Sequence, residues 1–126
     1  KGNINKITLD NNRSFSCDFI FDCSGFSRLL IGKHFNIKWK SYKKHLPMKQ
    51  AIPFWLNHQG SIPPYTIALA MKHGWLWKIP LQHRIGAGYI FDSDYLNRDQ
   101  ALAEAEKTLK TKLEVSRVID FGIKTV

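Results

Sequence analysis

The stretch Gly74-Trp75-Leu76-Trp77-Lys78-Ile79-Pro80 organises this sequence of 126 residues. In a β-strand, successive side chains point to opposite faces. The pattern therefore predicts Trp75 and Trp77 on one face of a strand, with Leu76 and Lys78 on the other. Two neighbouring indole rings form a broad apolar wall, although a pair of tryptophans alone is more often part of an ordinary core.

Further strand patterns lie on both sides of this stretch. Residues 51–56, 65–71 and 85–91 each read as a strand, and residues 72–74 and 81–84 read as turns. Strands joined by short turns predict an antiparallel meander. Pro53 lacks an N–H group, so the strand over 51–56 is predicted at the edge of the sheet.

The N-terminal part predicts a hairpin followed by a strand, a turn and a short helix over residues 26–33. Residues 4–9 and 15–23 are extended around the turn residues 10–12. Residues 19–23 are almost continuously apolar, which favours a strand covered on both faces, as in a parallel α/β sheet. A corner over residues 23–28 would then lie beyond the carboxyl end of that strand. The corner is a candidate cofactor contact, and a plain connection explains it equally well.

The C-terminal part predicts a helix over residues 98–112. Asn97 is its N-cap, and Gln100 completes a capping box. A one-sided apolar stripe supports the helix and consists of Leu102, Ala105, Leu109 and Leu113. Residues 115–126 are predicted to return as a strand, so the fold class is mixed α/β.

Composition limits the function classes. No apolar run approaches the roughly 20 residues that span a bilayer, so no membrane partner is expected. Cys17 and Cys23 would lie about 20 Å apart on one strand, too far for a disulfide. They are predicted to be buried thiols of a reducing compartment, which favours the cytoplasm. The five histidines show no metal-ligand spacing, so no metal is expected.

The net charge of +9 raises the question of an anionic partner. A basic cluster over residues 38–45 consists of lysines 38, 40, 43 and 44 with His45, and Trp39 and Tyr42 lie between them. It is compatible with a surface for single-stranded nucleic acid. No arginine joins the cluster and no nucleic-acid motif accompanies it, so a solvated surface is the favoured interpretation.

Two short motifs are rejected. Gly86-Ala87-Gly88 lacks the third glycine and the helix of a dinucleotide-binding fingerprint, and its glycines are predicted to let a strand pass close to bulky neighbours. The nucleophile elbow G-x-S-x-G needs a first glycine, which the stretch Cys23-Ser24-Gly25 lacks. A hydrolase is therefore not favoured.

Three stretches of the sequence together resemble the flavin-dependent halogenases of the tryptophan halogenase family. The W-x-W-x-I-P string over residues 75–80 is close to diagnostic for that family, and the Asp-Cys-Ser-Gly string over residues 22–25 is shared more loosely with other flavin monooxygenases. The third stretch is Gly86-Ala87-Gly88-Tyr89-Ile90-Phe91, followed by the start of the helix at residues 99–101.

The resemblance implies part of an FAD-binding fold of the monooxygenase type. Residues 1–35 would belong to the sheet and short helix of the flavin domain, with a parallel strand–turn–helix corner. Residues 36–96 would form the meander, and residues 97–126 the helix and returning strand. The chain would then be an internal fragment, inactive alone, because the glycine-rich FAD motif and the family's catalytic lysine would precede Lys1 and its glutamate would follow Val126.

The resemblance also implies an activity. Halogenases of this family use reduced FAD, oxygen and chloride or bromide to halogenate tryptophan or another indole-like aromatic molecule, and a separate flavin reductase supplies the reduced FAD. A related flavin-dependent hydroxylase or epoxidase is the alternative, and a homodimer is a candidate assembly.

The resemblance assigns roles to residues of this chain in two groups. The implied active-site wall between flavin and substrate consists of Trp75, Trp77, Ile79 and Pro80. The implied cofactor-binding residues are Ser24, Gly25 and Phe26. Lys78 is not expected to be the halogenating lysine.

Overall fold

The structure is a computed structural model that describes residues 2–125. It has two compact units, and the chain passes from the first to the second between Lys40 and Ser41. In the part of the chain that is described, no helix is both long and apolar enough to cross a bilayer.

The first unit begins with the predicted hairpin. Strand β1 (Lys6–Thr8) pairs antiparallel with β2 (Ser14–Ser16). The turn between them depends on Asn12, which has a φ of 64°, a left-handed conformation that asparagine tolerates better than most residues. The hairpin is therefore confirmed, with strands shorter than expected.

The rest of this unit is less regular than predicted. Residues 17–24 belong to no strand, and the rings of Phe19 and Phe21 are 74% and 81% exposed. A strand covered on both faces is not found there, because a parallel ladder needs a neighbouring strand reached by a long crossover connection. A 3₁₀ turn (Gly25–Ser27) and a π-helical turn (Leu29–His34) then replace the short helix expected over residues 26–33.

The cysteines also differ from expectation. Both are free thiols, but Cys23 is exposed and Cys17 is only partly buried. The prediction of buried thiols is wrong for Cys23, because it rested on the covered strand.

The second unit is built on one five-stranded antiparallel sheet. Its strands are β4 (Gln50–Leu56), β5 (Ile67–Met71), β6 (Gly74–Pro80), β7 (Ile85–Phe91) and β8 (Ile119–Asp120), in the order β5-β6-β7-β4-β8. Strands β5, β6 and β7 form the predicted meander. The short strands β3 (Lys40–Ser41) and β9 (Lys124–Thr125) lie outside this sheet.

Pro53 lies on a part of β4 that has a strand on one side only. It pairs with Gly88 of β7, whereas β8 reaches only Gln50 and Ala51. A residue without an N–H group is tolerated there. The prediction of an edge strand is therefore wrong for β4, which lies between β7 and β8, although Pro53 itself has a pairing strand on one side only.

Helix α1 (Arg98–Leu109) begins as predicted and ends three residues early. The N–H of Gln100 donates to the side chain of Asn97 and the N–H of Asn97 donates to the side chain of Gln100, both at 2.9 Å, which completes the capping box. At the other end, Lys110 adopts a left-handed conformation with a φ of 54°, and this stops the helix before the predicted boundary at 112.

The helix packs on one face of the sheet and closes the core there. The fully buried side chains of this core come from three strands and the helix: Ile52, Phe54, Leu76, Tyr89, Phe91, Ala101 and Ala105. Small alanines on the helix let it approach the large sheet side chains closely. The helix therefore leaves the opposite face of the sheet, which carries the tryptophans, uncovered by this element.

Candidate functional site

The two tryptophans of β6 lie on the sheet face opposite the core. Across to β7, Trp75 pairs with Ile90 and Trp77 pairs with Gly88, and cross-strand partners share a face. The two indole rings are 6.1 Å apart between centroids and tilted by 58°. The predicted alternation is correct, since Leu76 between them is fully buried in the core.

Gly88 allows the ring of Trp77 to lie against the sheet. A Cβ atom at position 88 would stand 2.1 Å from Cη2 of Trp77, closer than any real contact. Any larger residue would push the indole away from β7. This confirms the prediction that the glycines of β7 accommodate bulky neighbours.

Trp55 joins the same face from β4, which the sequence analysis did not anticipate. It pairs with Gly86, and a Cβ atom there would stand 3.4 Å from Cζ3 of its ring. The guanidinium of Arg84 lies 3.7 Å from the centroid of the Trp55 ring, within cation–π range. The sequence does show that Trp55, two residues after Pro53, points to the same side of β4 as Pro53. It does not show which face of the sheet that side belongs to, because this depends on the register between β4 and β7.

We call the surface formed by Trp55, Trp75, Trp77 and Ile79 the tryptophan face. Its side chains stay accessible, because Trp55 is 60% exposed, Trp75 36% and Ile79 41%. Contiguous apolar patches that are exposed to solvent commonly mark sites where a ligand or another protein binds. The tryptophan face can therefore pack against a flat apolar molecule or another apolar surface.

Pro80 and Lys78 do not belong to this face. Both alternate to the opposite side of β6, where they line a cavity together with Leu56 and Leu109. Of the four residues assigned to the wall by resemblance, the structure brings together Trp75, Trp77 and Ile79 and separates Pro80 from them.

The second set of candidate residues lies in the first unit, at the corner after residue 21. Asp22 holds this corner through both carboxylate oxygens. One accepts from the N–H and the hydroxyl of Ser24, and the other accepts from the N–H groups of Leu30 and Ile31 at 3.1 and 3.0 Å. These hydrogen bonds, that from the Ser24 hydroxyl foremost, lower the pKa of Asp22 to about 2.

Ser24 completes this brace, because its hydroxyl oxygen also accepts from the N–H of Leu29 at 2.8 Å. Gly25 follows with a φ of 58°, a conformation that suits glycine, and no atom lies within 4 Å of the place its Cβ would take. The ring of Phe26 is 79% exposed. The corner is thus a fixed backbone turn with an open surface, and sequence reasoning missed Asp22 as the residue that fixes it.

Trp39, one of the two aromatic residues of the basic cluster, has a local partner. The guanidinium of Arg28 lies 3.9 Å from the centroid of the Trp39 ring and donates to the carbonyl of Ile37. One face of the Trp39 ring is therefore occupied, which weighs against its use as a stacking platform for bases.

Within residues 2–125, no three histidine, cysteine or acidic side chains come close enough together to hold a metal ion.

Comparison with known proteins assigns the chain to a family. The sequence profile described as tryptophan halogenase matches residues 1–123. The chain belongs to the tryptophan halogenase family. Both the tryptophan face and the Asp22 corner fall inside the matched range of this family.

Individual relatives agree with this assignment. The chain is 37% identical over 107 residues to tryptophan 7-halogenase KtzQ of Kutzneria sp. (strain 744), a match of 82% of this chain and 20% of that protein. It is 42% identical over 114 residues to the uncharacterized protein y4xG of Sinorhizobium fredii (strain NBRC 101917 / NGR234), with 90% of this chain and 22% of that protein covered. The chain thus spans about a fifth of the length of these curated relatives.

Solved structures share the fold. BrvH, a flavin-dependent halogenase from Brevundimonas sp. BAL3, is 37% identical with a TM-score of 0.74, and the match covers 94% of this chain and 25% of BrvH. Xcc4156, a flavin-dependent halogenase from Xanthomonas campestris, gives a TM-score of 0.76 at 30% identity, covering 98% of this chain and 25% of Xcc4156. The mixed α/β fold of this chain is accordingly a fold found within flavin-dependent halogenases.

Proposed function

We propose that this chain is a segment of a flavin-dependent halogenase that uses reduced FAD, oxygen and chloride or bromide to halogenate tryptophan or another indole-like aromatic molecule. Family membership supports the class of enzyme. The observation that carries the proposal is the open tryptophan face. Trp75, Trp77 and Ile79 form a row of apolar side chains on one side of β6, where Trp75 and Ile79 are exposed and Trp77 is partly buried.

The tryptophan face is proposed to act as a wall beside the substrate. Three of its side chains are large, and Gly88 holds one of them flat against the sheet. A stiff apolar surface excludes water and limits where a small aromatic molecule can lie. The wall would keep the substrate at a distance from the flavin and so favour halogenation over direct hydroxylation.

The braced corner is proposed to contact FAD. Its residues fit a flat cofactor, because Gly25 leaves open space above the backbone and the ring of Phe26 is exposed. When bound, reduced FAD together with oxygen supplies the oxidising power for the halide. Ser24 would act through the shape of the turn, since its hydroxyl already donates to Asp22 and accepts from Leu29.

The apolar run over residues 19–23 is proposed to become a strand of the flavin domain's parallel sheet in the longer enzyme. Its support is the exposure of Phe19 and Phe21, whose rings would be covered by neighbouring strands and helices. A separate flavin reductase and a homodimeric assembly are parts of the same proposal.

Assay of the halogenase that carries this segment tests the proposal. Reduced FAD, oxygen, bromide or chloride, and tryptophan are supplied, and the product is analysed by mass spectrometry. We expect a mass shift and isotope pattern of one bromine or chlorine, dependent on all four components. A hydroxylated or epoxidised product formed without halide would replace halogenase by the related hydroxylase or epoxidase.

A further inference from the structure

A cavity of about 390 Å³ lies in the second unit, on the side of the sheet opposite the tryptophan face. It opens between the loop after β4, the C-terminal end of α1 and the adjoining ends of the meander strands. Its apolar wall consists of Leu56, Ile67, Pro80, Ile85 and Leu109. This volume lies within the range of small-molecule sites, which combine apolar walls with a few polar groups.

One cation stands in this wall. Lys78 comes from the middle of β6, where its register partners are Ile67 and Ala87, and it is partly buried. Among residues 2–125, its ammonium group has neither an ion-pair partner nor a hydrogen-bond acceptor. A positive charge held against apolar side chains without a counter-charge favours an anionic ligand group, because pairing offsets its desolvation.

The rim of the cavity is polar and partly fixed. The ring of His58 is hydrogen-bonded through Nε2 to the carbonyl of Leu81 at 2.6 Å, which ties the loop after β4 to the turn after β6. Asn57, Ser61 and Thr111 also line the opening. These groups can hydrogen-bond to the second oxygen of a carboxylate or to water around it.

We propose that the cavity binds a small aromatic carboxylate, with its carboxylate on Lys78 and its ring against Leu56, Ile85 and Leu109. The volume suits one or two fused rings with a short acidic arm. Because Lys78 and Trp77 are adjacent in one strand and point to opposite faces, this site is separate from the tryptophan face. The proposal depends on neither flavin nor halide.

The test is a titration of the full chain with indole-3-acetate at low salt, followed through the methyl NMR signals of isoleucine and leucine. We expect saturable shifts at Ile67, Ile85 and Leu109. Lys78→Met should weaken binding at least tenfold, because a hydrogen bond to a charged group contributes more than the roughly 1.4 kcal/mol that corresponds to a factor of ten. Lys78→Arg should stay within about threefold of the original affinity.

Lys107→Met is the matched control, since it removes the same charge from an exposed helix position outside this cavity. It should bind like the original chain. Tryptamine, which carries the same ring and a positive charge, should bind at least tenfold more weakly than indole-3-acetate.

Three outcomes overturn the proposal. They are equal binding of tryptamine and indole-3-acetate, unchanged affinity in Lys78→Met, and methyl shifts confined to Ile79 on the tryptophan face. If circular dichroism shows that Lys78→Met is unfolded, the proposal is judged instead by which methyl signals of the original chain shift and by the affinity of Lys78→Arg. None of these results bears on halogenation, so the two proposals fail separately.

Discussion

Both faces of the five-stranded sheet carry large apolar side chains, yet helix α1 covers only one of them. On the helix side, Leu76, Phe54 and Tyr89 are almost completely buried. On the other side, their sequence neighbours Trp75 and Trp55 are 36% and 60% exposed. The same strands therefore supply a core with one set of alternate residues and an accessible aromatic surface with the other.

Apolar character alone therefore does not show whether a side chain of these strands serves stability or function. Burial on the helix face stabilises the fold in proportion to the apolar area removed from water. The large side chains of the tryptophan face are partly exposed and contribute less to that stability. A role in binding explains their presence better.

The largest expected effect comes from truncating adjacent residues of β4. Phe54→Ala should lower the free energy of unfolding by about 3–5 kcal/mol, because it leaves a cavity in the core. Trp55→Ala, on the opposite face, should cost less than about 1 kcal/mol, as expected for an exposed position. Urea denaturation of both variants measures the difference, and equal losses would contradict the contrast between the faces.

A second pair tests how tightly Trp77 lies on β7. Gly88→Ala should destabilise the chain by about 2 kcal/mol, because the new Cβ overlaps the Trp77 ring. Gly86→Ala is the control, two residues along the same strand, where the nearest ring atom is 3.4 Å away. It should change the free energy of unfolding by less than about 0.5 kcal/mol. Thermal unfolding with identical midpoints for both variants would show that Trp77 does not lie against Gly88.

A hydrogen bond between helix α1 and the sheet is expected to have an intermediate effect on stability. The hydroxyl of Tyr89 donates to Glu104 of α1 at 2.9 Å, and Glu104 also accepts from the N–H of Lys72. Tyr89→Phe should cost about 1 kcal/mol, the usual value of one hydrogen bond. Chemical denaturation measures the loss, with exposed Tyr95→Phe as the control that should change little. A loss as small as the control's would mean that Glu104 does not tie the helix to the sheet.

The smallest effect is expected at the cation–π contact of the open face. Arg84→Met should lower the free energy of unfolding by about 0.5 kcal/mol, because the guanidinium above Trp55 lies at an exposed site. The tryptophan fluorescence emission maximum should also shift, because the substitution removes the charge beside Trp55. A loss above about 2 kcal/mol would mean that the tryptophan face contributes to stability as the core does.

Local patterns in the sequence predicted the parts of this fold that depend on neighbouring residues. Period-two alternation placed Trp75 and Trp77 on one face, and the capping box located the start of α1 at Asn97. Both signals are short-range, since alternation and capping follow from the geometry of one strand or one helix end.

Features that depend on distant partners were missed. Trp55 joins the tryptophan face only through the pairing of β4 with β7, and residues far apart in sequence set that register. The run over residues 19–23 has the composition of a covered strand, but within residues 2–125 it lacks a strand to pair with. The end of α1 was misplaced because Lys110, a residue with no strong preference for it, takes the left-handed conformation.

The most direct test of the central claim replaces Trp75 and Trp77 together by phenylalanine in the halogenase that carries this segment. Trp39→Phe, in the other unit, is the matched control. We expect a folded double variant whose yield of halogenated product falls roughly tenfold, with an altered product pattern, because the wall that positions the substrate is thinner. Unchanged halide oxidation, yield and product pattern in the double variant would contradict a functional role for the tryptophan face.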